Sequence, residues 1–229
     1  MPAETPDPPA HTIPTPLAAA IFDFDETIID LEPQHAAADV ALCHAMGSEY
    51  MDLPESYRFS SGTRIVDDVR DMRAFFGWPH SEEELFAIRQ RAFDQACAES
   101  ELHLLPGVEA TIRALHARGI TLAVTSSAVG AAIDAILRRL QLRELFALIV
   151  DGSDVTRGKP DPEPYLITAR KLGVSPSQCI VFEDSHVGVV AAKRAGMYVI
   201  AVRNPHAKSA QDLSEADVVL TTMEDFGLE

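Results

Sequence analysis

The sequence predicts an α/β fold with a doubly wound, mainly parallel sheet and an inserted α-helical cap domain. Short apolar runs alternate with helical patterns from residue 103 onward. The first apolar run, residues 17–22, ends at a cluster of acids, and residues 31–102 after it contain helical patterns alone. Strands joined by helices form parallel crossovers, so we expect a sheet covered by helices on both faces.

Six apolar runs are the predicted strands. Each is short and bounded by polar residues, which is typical of strands buried on both faces. They are residues 17–22, 120–124, 145–150, 179–182, 198–202 and 218–220. Between the later runs, apolar residues spaced three and four apart predict helices. These helices are residues 107–118, 131–142, 162–172 and 188–195.

The inserted segment, residues 31–102, is predicted to be a second, smaller helical domain, called the cap here. Its helical patterns cover residues 33–46, 63–76 and 81–100. The last of these begins with Ser81 and Glu84, the spacing of a capping box. The predicted organisation is therefore a proline-rich flexible lead-in, a core in two pieces and a cap. Their bounds are residues 1–18 for the lead-in, 19–30 and 103–229 for the core, and 31–102 for the cap.

The composition excludes several classes of partner. The 229 residues carry 35 acidic and 19 basic side chains, a formal net charge of -16. Nucleic acids and anionic membranes attract basic proteins, so neither is an expected partner. No apolar stretch is long enough to span a membrane. The three cysteines have no paired spacing, which favours a reducing, cytoplasmic location. We expect a monomer.

Two carboxylates follow the first predicted strand. Because side chains alternate along a strand, Asp23 and Asp25 are expected on the same side, at the carboxyl edge of the sheet. Open α/β sheets bind ligands at that edge. Two carboxylates so close repel one another unless a cation compensates them, and a hard divalent ion suits oxygen ligands. The alternative is a pair of solvated aspartates in a turn.

Three later segments add polar groups at strand ends or in loops. Thr125 and Ser126 end the second strand, where hydroxyls and backbone N–H groups at a helix start bind phosphate oxygens well. Lys159 is the first lysine in the chain. Glu183 and Asp184 end another predicted strand. The succession of acid, hydroxyl, cation and acid along the chain indicates a common site.

These segments resemble the motifs of the haloacid dehalogenase superfamily of phosphohydrolases. Residues 23–27, Thr125, Lys159 and 183–184 match its four motifs in order, and the likeness covers roughly residues 19 to 222. Residues 30–35, Asp-Leu-Glu-Pro-Gln-His, are similar to a stretch of the β-phosphoglucomutase and sugar-phosphatase branch, which has a small helical cap. The resemblance implies a Rossmann-like core and phosphatase activity on a small phosphorylated metabolite such as a sugar phosphate.

The resemblance also implies roles for the acidic residues. Asp23 would be the nucleophile that forms an aspartyl-phosphate, and Asp25 would act as general acid and then base. Mg²⁺ would be bound by the Asp23 carboxylate, the backbone carbonyl of Asp25 and Asp184. Glu183 would be a further ligand or a neighbour of the ligands.

The phosphoryl oxygens, by the same resemblance, would be neutralised by Thr125 and Lys159, with Ser126 also binding the substrate. Two residues of the cap are further candidates for substrate binding. His35 either reaches the active site or faces the groove between the domains. Arg64 either contacts the substrate or forms an ion pair at the surface.

Glu26 departs from the superfamily pattern, which most often has glycine at this position. Glycine allows backbone angles that other residues rarely adopt. The departure leaves open the form of the local turn and how the added carboxylate is kept away from the metal.

Two other functions share part of the pattern. A phosphosugar mutase of the β-phosphoglucomutase type would have a threonine at Leu31 and a Lys-Asn pair at residues 128–129, which are Ala-Val here. These differences favour water as the phosphoryl acceptor. A receiver-like signalling domain would accept phosphate on an aspartate without turnover. However, its phosphoacceptor does not follow the first strand, and it has no helical cap.

Overall fold

The structure is a computed structural model that describes residues 13–58, 63–204 and 211–227. A six-stranded sheet with the order β3-β2-β1-β4-β5-β6 forms its centre. Every neighbouring pair of strands is parallel, which confirms the predicted parallel α/β fold. The strands are β1 (Ala19–Phe22), β2 (Thr121–Thr125), β3 (Phe146–Val150), β4 (Cys179–Glu183), β5 (Tyr198–Val202) and β6 (Val218–Leu220).

Helices lie between the strands and in the insertion after β1. In the insertion these are α1 (Glu32–Ala45), α2 (Glu55–Arg58), α3 (Ile65–Phe76) and α4 (Glu82–Glu99). The remaining helices are α5 (Val108–Ala117), α6 (Gly130–Arg139), α7 (Glu163–Leu172) and α8 (His186–Arg194). Each predicted helix is present, with ends that differ by one or two residues, except that α6 ends three residues early.

Apolar side chains cover both faces of the sheet. Along β1 the alternation of side chains sends Ala20 and Phe22 into one apolar cluster and Ala19 and Ile21 into another. All four are fully buried. A strand without a polar face is expected only where helices cover both sides of the sheet, and this is why the strands read as continuous apolar runs.

The inserted helices have an apolar cluster of their own. It joins α1, α3 and α4 through residues that include Leu42, Val69 and Leu85. Trp78 completes this cluster, and its indole N–H donates to Ser48 Oγ at 2.9 Å. The helix α4 begins at the predicted capping box, in which Ser81 and Glu84 each bind the other's backbone N–H.

The insertion also packs directly on the sheet domain. Ala38, Phe93 and Cys97 belong to the main apolar cluster together with residues of β1 and β2.

Sequence patterns did not predict α2 or the 3₁₀ helix Tyr50–Asp52, because elements of three or four residues are too short to show a periodicity. The division of the chain at residues 31 and 102 into core and cap stays a prediction.

Several sequence predictions concern the chain ends and the cysteines. Residues 1–12 of the predicted lead-in lie outside the described residues. All three cysteines are buried free thiols. Among the helices that the described ranges contain, none combines the length and the apolar character needed to cross a bilayer.

Candidate active site

The sheet order brings the predicted motifs to one edge. The strand β1 lies between β2 and β4, so the residues after these three strands are neighbours. Asp23 follows β1, and its backbone N–H donates to the Phe182 carbonyl at 2.9 Å. Thr125 ends β2, and Glu183 ends β4. The carboxyl edge of a parallel sheet therefore collects acids and hydroxyls from distant parts of the chain.

Lys159 is buried between two of these acids. Its Nζ lies 2.5 Å from Asp23 Oδ1 and 2.5 Å from Glu183 Oε1, and its side chain is 1% exposed. Burial alone would lower the pKa of Lys159, but the charges of Asp23 and Glu183 outweigh this and raise it well above its usual value. The lysine is therefore a fixed positive charge beside Asp23.

Glu183 is surrounded by hydrogen-bond donors. Its Oε1 accepts from Lys159 and from the Tyr165 hydroxyl at 2.9 Å. Its Oε2 accepts from the backbone N–H groups of Asp184 and Ser185 and from Ser185 Oγ, each at 2.9 Å. Five donors occupy the two oxygens. This carboxylate is therefore arranged to position Lys159 and the start of α8.

Asp23, Glu183 and Asp184 form a buried acidic cluster. In the part of the chain that the structure describes, their carboxylate oxygens lie within 4.8 Å of one another. Burial raises the pKa of Asp23 well above its usual value, with Lys159 opposing and Glu183 adding to the shift. The pKa of Asp184 is also raised, by burial first and then by the charges of Glu183 and Asp23.

This donor set fits a divalent cation. One lysine faces three buried carboxylates, so the cluster has an excess of negative charge when all three are ionised, and burial makes this excess unfavourable. Carboxylate oxygens are the ligands of hard cations such as Mg²⁺. Because the oxygens of Glu183 are occupied by donors, Asp23 and Asp184 are the members of the cluster best able to bind one.

Asp25 points away from this cluster, toward the inserted helices. Its Oδ2 lies 3.4 Å from His35 Nε2. Its Oδ1 is buried and has no hydrogen-bond partner among the described residues. The other ring nitrogen, His35 Nδ1, lies 3.3 Å from Arg89 Nη2. A guanidinium group only donates, so Nδ1 accepts and Nε2 carries the hydrogen that faces Asp25.

Arg89 completes a chain of contacts from the site into the insertion. Its Nε donates to Asp39 Oδ1 at 2.6 Å, and the side chain is 3% exposed. Sequence reasoning did not single out Arg89 among the six arginines of residues 31–102. A signal was present, because Arg89 lies four residues from both Leu85 and Phe93 on the buried side of α4.

Three predicted substrate- and phosphate-binding residues have protein partners. Thr125 Oγ1 lies 2.6 Å from Thr168 Oγ1, whose own hydroxyl donates to the Pro164 carbonyl at 2.9 Å. Ser126 Oγ accepts from the Ala128 N–H at 3.1 Å. Arg64 Nε donates to Asp67 at 2.7 Å and its Nη1 to the Thr156 carbonyl at 3.3 Å. Their predicted roles stay predictions.

Glu26 adopts a left-handed backbone conformation, with φ of 62°. This is the conformation for which the superfamily's glycine is suited. Its Oε2 accepts from Asn204 Nδ2 at 2.7 Å. The pKa of Glu26 is raised, chiefly by burial. The Glu26 side chain is thus held by the neutral amide of Asn204.

The fold and the site together define a class of protein, the α/β enzymes in which acidic side chains and a buried lysine meet at the carboxyl edge of a parallel sheet. The chain belongs to the haloacid dehalogenase-like hydrolase family, which it matches over residues 20–202. This confirms the resemblance seen in the sequence.

Individual relatives narrow the class to phosphatases. The chain is 34% identical over 215 residues to a protein of Drosophila melanogaster named probable pseudouridine-5'-phosphatase, and the match covers 90% of each chain. It is 31% identical to hexitol phosphatase B of Escherichia coli, over 92% of this chain and 94% of that one. The crystal structure of CbbY from Rhodobacter sphaeroides in complex with phosphate is similar with a TM-score of 0.80 and 26% identity, over 90% of this chain and 95% of that one. The chain is an enzyme of the phosphatase class.

Proposed function

We propose that this enzyme hydrolyses a monoester of a small phosphorylated metabolite, such as a sugar phosphate, through an aspartyl-phosphate on Asp23 and with Mg²⁺ as cofactor. The observation that carries the proposal is the contact of 2.5 Å between Lys159 Nζ and Asp23 Oδ1 inside a buried acidic cluster. Lys159 offsets the negative charge of the phosphoryl oxygens, which would otherwise repel the attacking carboxylate of Asp23.

The first step forms a bond between an Asp23 carboxylate oxygen and phosphorus while the ester P–O bond breaks. The leaving alkoxide takes a proton from Asp25. In the second step Asp25 removes a proton from water, whose oxygen attacks phosphorus and releases the Asp23 carboxylate and inorganic phosphate. Lys159 offsets the charge on the phosphoryl oxygens in both steps.

His35 and Arg89 orient Asp25 for this acid and base role. The hydrogen on His35 Nε2 faces Asp25 Oδ2, and Arg89 fixes that tautomer from the other side of the ring. The ring of His35 also stacks on Phe93 with centroids 4.5 Å apart. We therefore propose that His35 positions Asp25 and also contacts the substrate.

Asp23, Asp184 and the backbone carbonyl of Asp25 would hold the Mg²⁺ ion. When bound, the ion supplies positive charge against the phosphoryl oxygens. The buried, mutually repelling carboxylates support this assignment. Glu183 contributes by holding Lys159 rather than as a ligand, because five donors already occupy it.

The substrate class rests on the relatives and on the charge of the protein. Relatives named for hexitol and pseudouridine phosphates support a small polar substrate. Arg64 and Ser126 are the candidates for contacting it outside the reacting group. A net charge of -16 leaves a nucleic acid or an anionic membrane unsuited as a partner. We propose a monomer in the cytoplasm.

The test is a phosphate-release screen with Mg²⁺ over sugar phosphates, polyol phosphates, nucleotides and phosphoglycolate. We expect one group of related phosphates to be hydrolysed well, and Asp23→Asn to lower the rate by more than about a thousandfold. Equally weak activity on every compound would contradict a dedicated metabolite phosphatase. Isomerisation of β-glucose 1-phosphate would instead support the mutase, and labelling of Asp23 without turnover would support the receiver-like domain.

A further inference from the structure

Each polar atom of Asp184 has a partner in the protein. Its N–H donates to Glu183 Oε2, and its Oδ1 accepts from Thr27 Oγ1 at 3.2 Å. Its backbone carbonyl accepts from Gln211 Nε2 at 2.8 Å, and its Oδ2 lies 3.4 Å from the same nitrogen. Gln211 therefore contacts both the backbone and the carboxylate of Asp184.

The amide of Gln211 is itself oriented. Its Oε1 accepts from the backbone N–H of Asn204 at 3.2 Å. An amide that accepts through its oxygen presents its NH₂ group at the other end, so this contact turns Nε2 toward Asp184. Asn204 is 7% exposed, which keeps this contact largely out of water.

Asn204 in turn is held by Glu26. The distance from Asn204 Nδ2 to Glu26 Oε2 is 2.7 Å. A left-handed backbone is unfavourable for a residue other than glycine and persists where surrounding contacts favour it. The hydrogen bond to Asn204 is such a contact. It ties the turn after Asp25 to the residues that orient Gln211.

We propose that Gln211 is a positioning residue for the cation-binding carboxylate of Asp184, with Asn204 and Glu26 fixing its orientation. The proposal rests on the cation site of the proposed function. Gln211 lies outside the four sequence motifs, and we expect it to contribute to the affinity of the site for the cation. Partners that orient metal ligands contribute about 10- to 100-fold to metal affinity.

The test measures cation binding without any substrate. Mn²⁺ binding to the full-length protein is followed by the EPR signal of the free ion, and Mg²⁺ is measured by competition. We expect Gln211→Met to weaken the affinity for both ions about 10- to 100-fold. Gln95→Met, which replaces an exposed glutamine of α4, is the matched control and is expected to bind both ions like the unaltered protein.

Asp184→Asn separates this proposal from the proposed function. If Asp184→Asn loses Mn²⁺ while Gln211→Met binds it with unchanged affinity, the role of Gln211 is wrong and the cation site stands. If Asp184→Asn also binds Mn²⁺ unchanged, the cation site itself is wrong. Circular dichroism of the metal-free variants checks that each is folded, so that weaker binding can be assigned to the site. A folded Gln211→Met with weakened binding supports the proposal.

Discussion

The carboxylate of Glu183 lies directly against the α-carbon of Gly188, where a β-carbon would overlap Oε1. The absence of a side chain at Gly188 allows Glu183 to fold back over the first turn of α8. There it meets the backbone N–H groups of Asp184 and Ser185 on one oxygen and Lys159 on the other. The geometry of Lys159 thus depends on a glycine five residues beyond Glu183.

Gly188→Ala is expected to displace Glu183 and, with it, Lys159. Overpacking of a buried site costs about 1–3 kcal/mol of stability. We also expect the turnover number to fall by about a hundredfold or more, because Lys159 loses a partner that fixes it beside Asp23. Urea unfolding and phosphate release measure the two effects.

Gly227→Ala is the control for this substitution, since nothing lies within 4 Å of a β-carbon added at Gly227. It should leave both quantities unchanged. A Gly188→Ala enzyme that keeps turnover within a factor of two would show that the close approach of Glu183 does not matter for catalysis.

Arg89→Met is expected to affect both stability and turnover. It removes the partner of Asp39 and of His35 Nδ1 from a position that is 3% exposed. Removing one member of a buried ion pair typically costs about 3–5 kcal/mol, and we expect the low end because Asp39 is 19% exposed. The turnover number should fall because His35 no longer holds one tautomer toward Asp25. Urea unfolding and steady-state kinetics test this.

Arg91→Met, which alters an exposed arginine of the same helix, provides the comparison. It is expected to change neither the free energy of unfolding nor the turnover number by much. Equal effects of the two substitutions would argue against a special role for the chain of contacts from Asp25 to Asp39.

The stabilising effect of Mg²⁺ is expected to increase with pH. The pKa of Asp184 is raised by burial and by neighbouring carboxylates above its usual value of 3.8. Without a cation, the folded protein therefore loses stability as pH rises from about 4 through the raised pKa, because the folded state binds the proton more tightly than the unfolded state. A bound cation offsets the charge and removes this loss.

Thermal unfolding with and without Mg²⁺ at pH 5 and pH 7.5 measures the difference. At a hundredfold excess over the dissociation constant the gain is about 2.7 kcal/mol, or roughly 5–10 °C for a chain of this length. The shift should be clearly smaller at pH 5. A larger shift at pH 5 than at pH 7.5 would contradict the assignment of the cation to these carboxylates.

The three cysteines are expected to resist alkylation in the folded protein. Burial raises the pKa of Cys43 to about 12 and that of Cys97 and Cys179 to about 11, with nearby acids adding to the shift for the first two. The thiolate is the reactive form, so iodoacetamide at pH 7.5 should label none of them before unfolding and all three in urea. Rapid labelling of the folded protein, seen by mass spectrometry, would be inconsistent with this environment.

Much of the core could be predicted because its strands are covered on both faces. The apolar runs that end at Asp23, Thr125 and Glu183 have no polar face, so they stand out from the helical patterns between them. That Lys159 belongs to the site could also be predicted, because no other lysine precedes it in the chain.

What the sequence left undetermined depends on contacts between distant segments. Gln211 and Tyr165 are ordinary residues until the fold places them 2.8 Å from the Asp184 carbonyl and 2.9 Å from Glu183 Oε1. Arg89, rather than Arg64, is the buried arginine of the insertion, because the packing of α4 against α1 decides which side chain turns inward.

The most direct test of the account is to look for the covalent intermediate on Asp23. The enzyme is mixed with Mg²⁺ and a ³²P-labelled substrate from the screen, quenched in acid within milliseconds and digested for peptide mapping. We expect a label that hydroxylamine removes, on the peptide that contains Asp23, and no label in Asp23→Asn. Rapid release of phosphate with no labelled protein, or Asp23→Asn turning over like the unaltered enzyme, would contradict it.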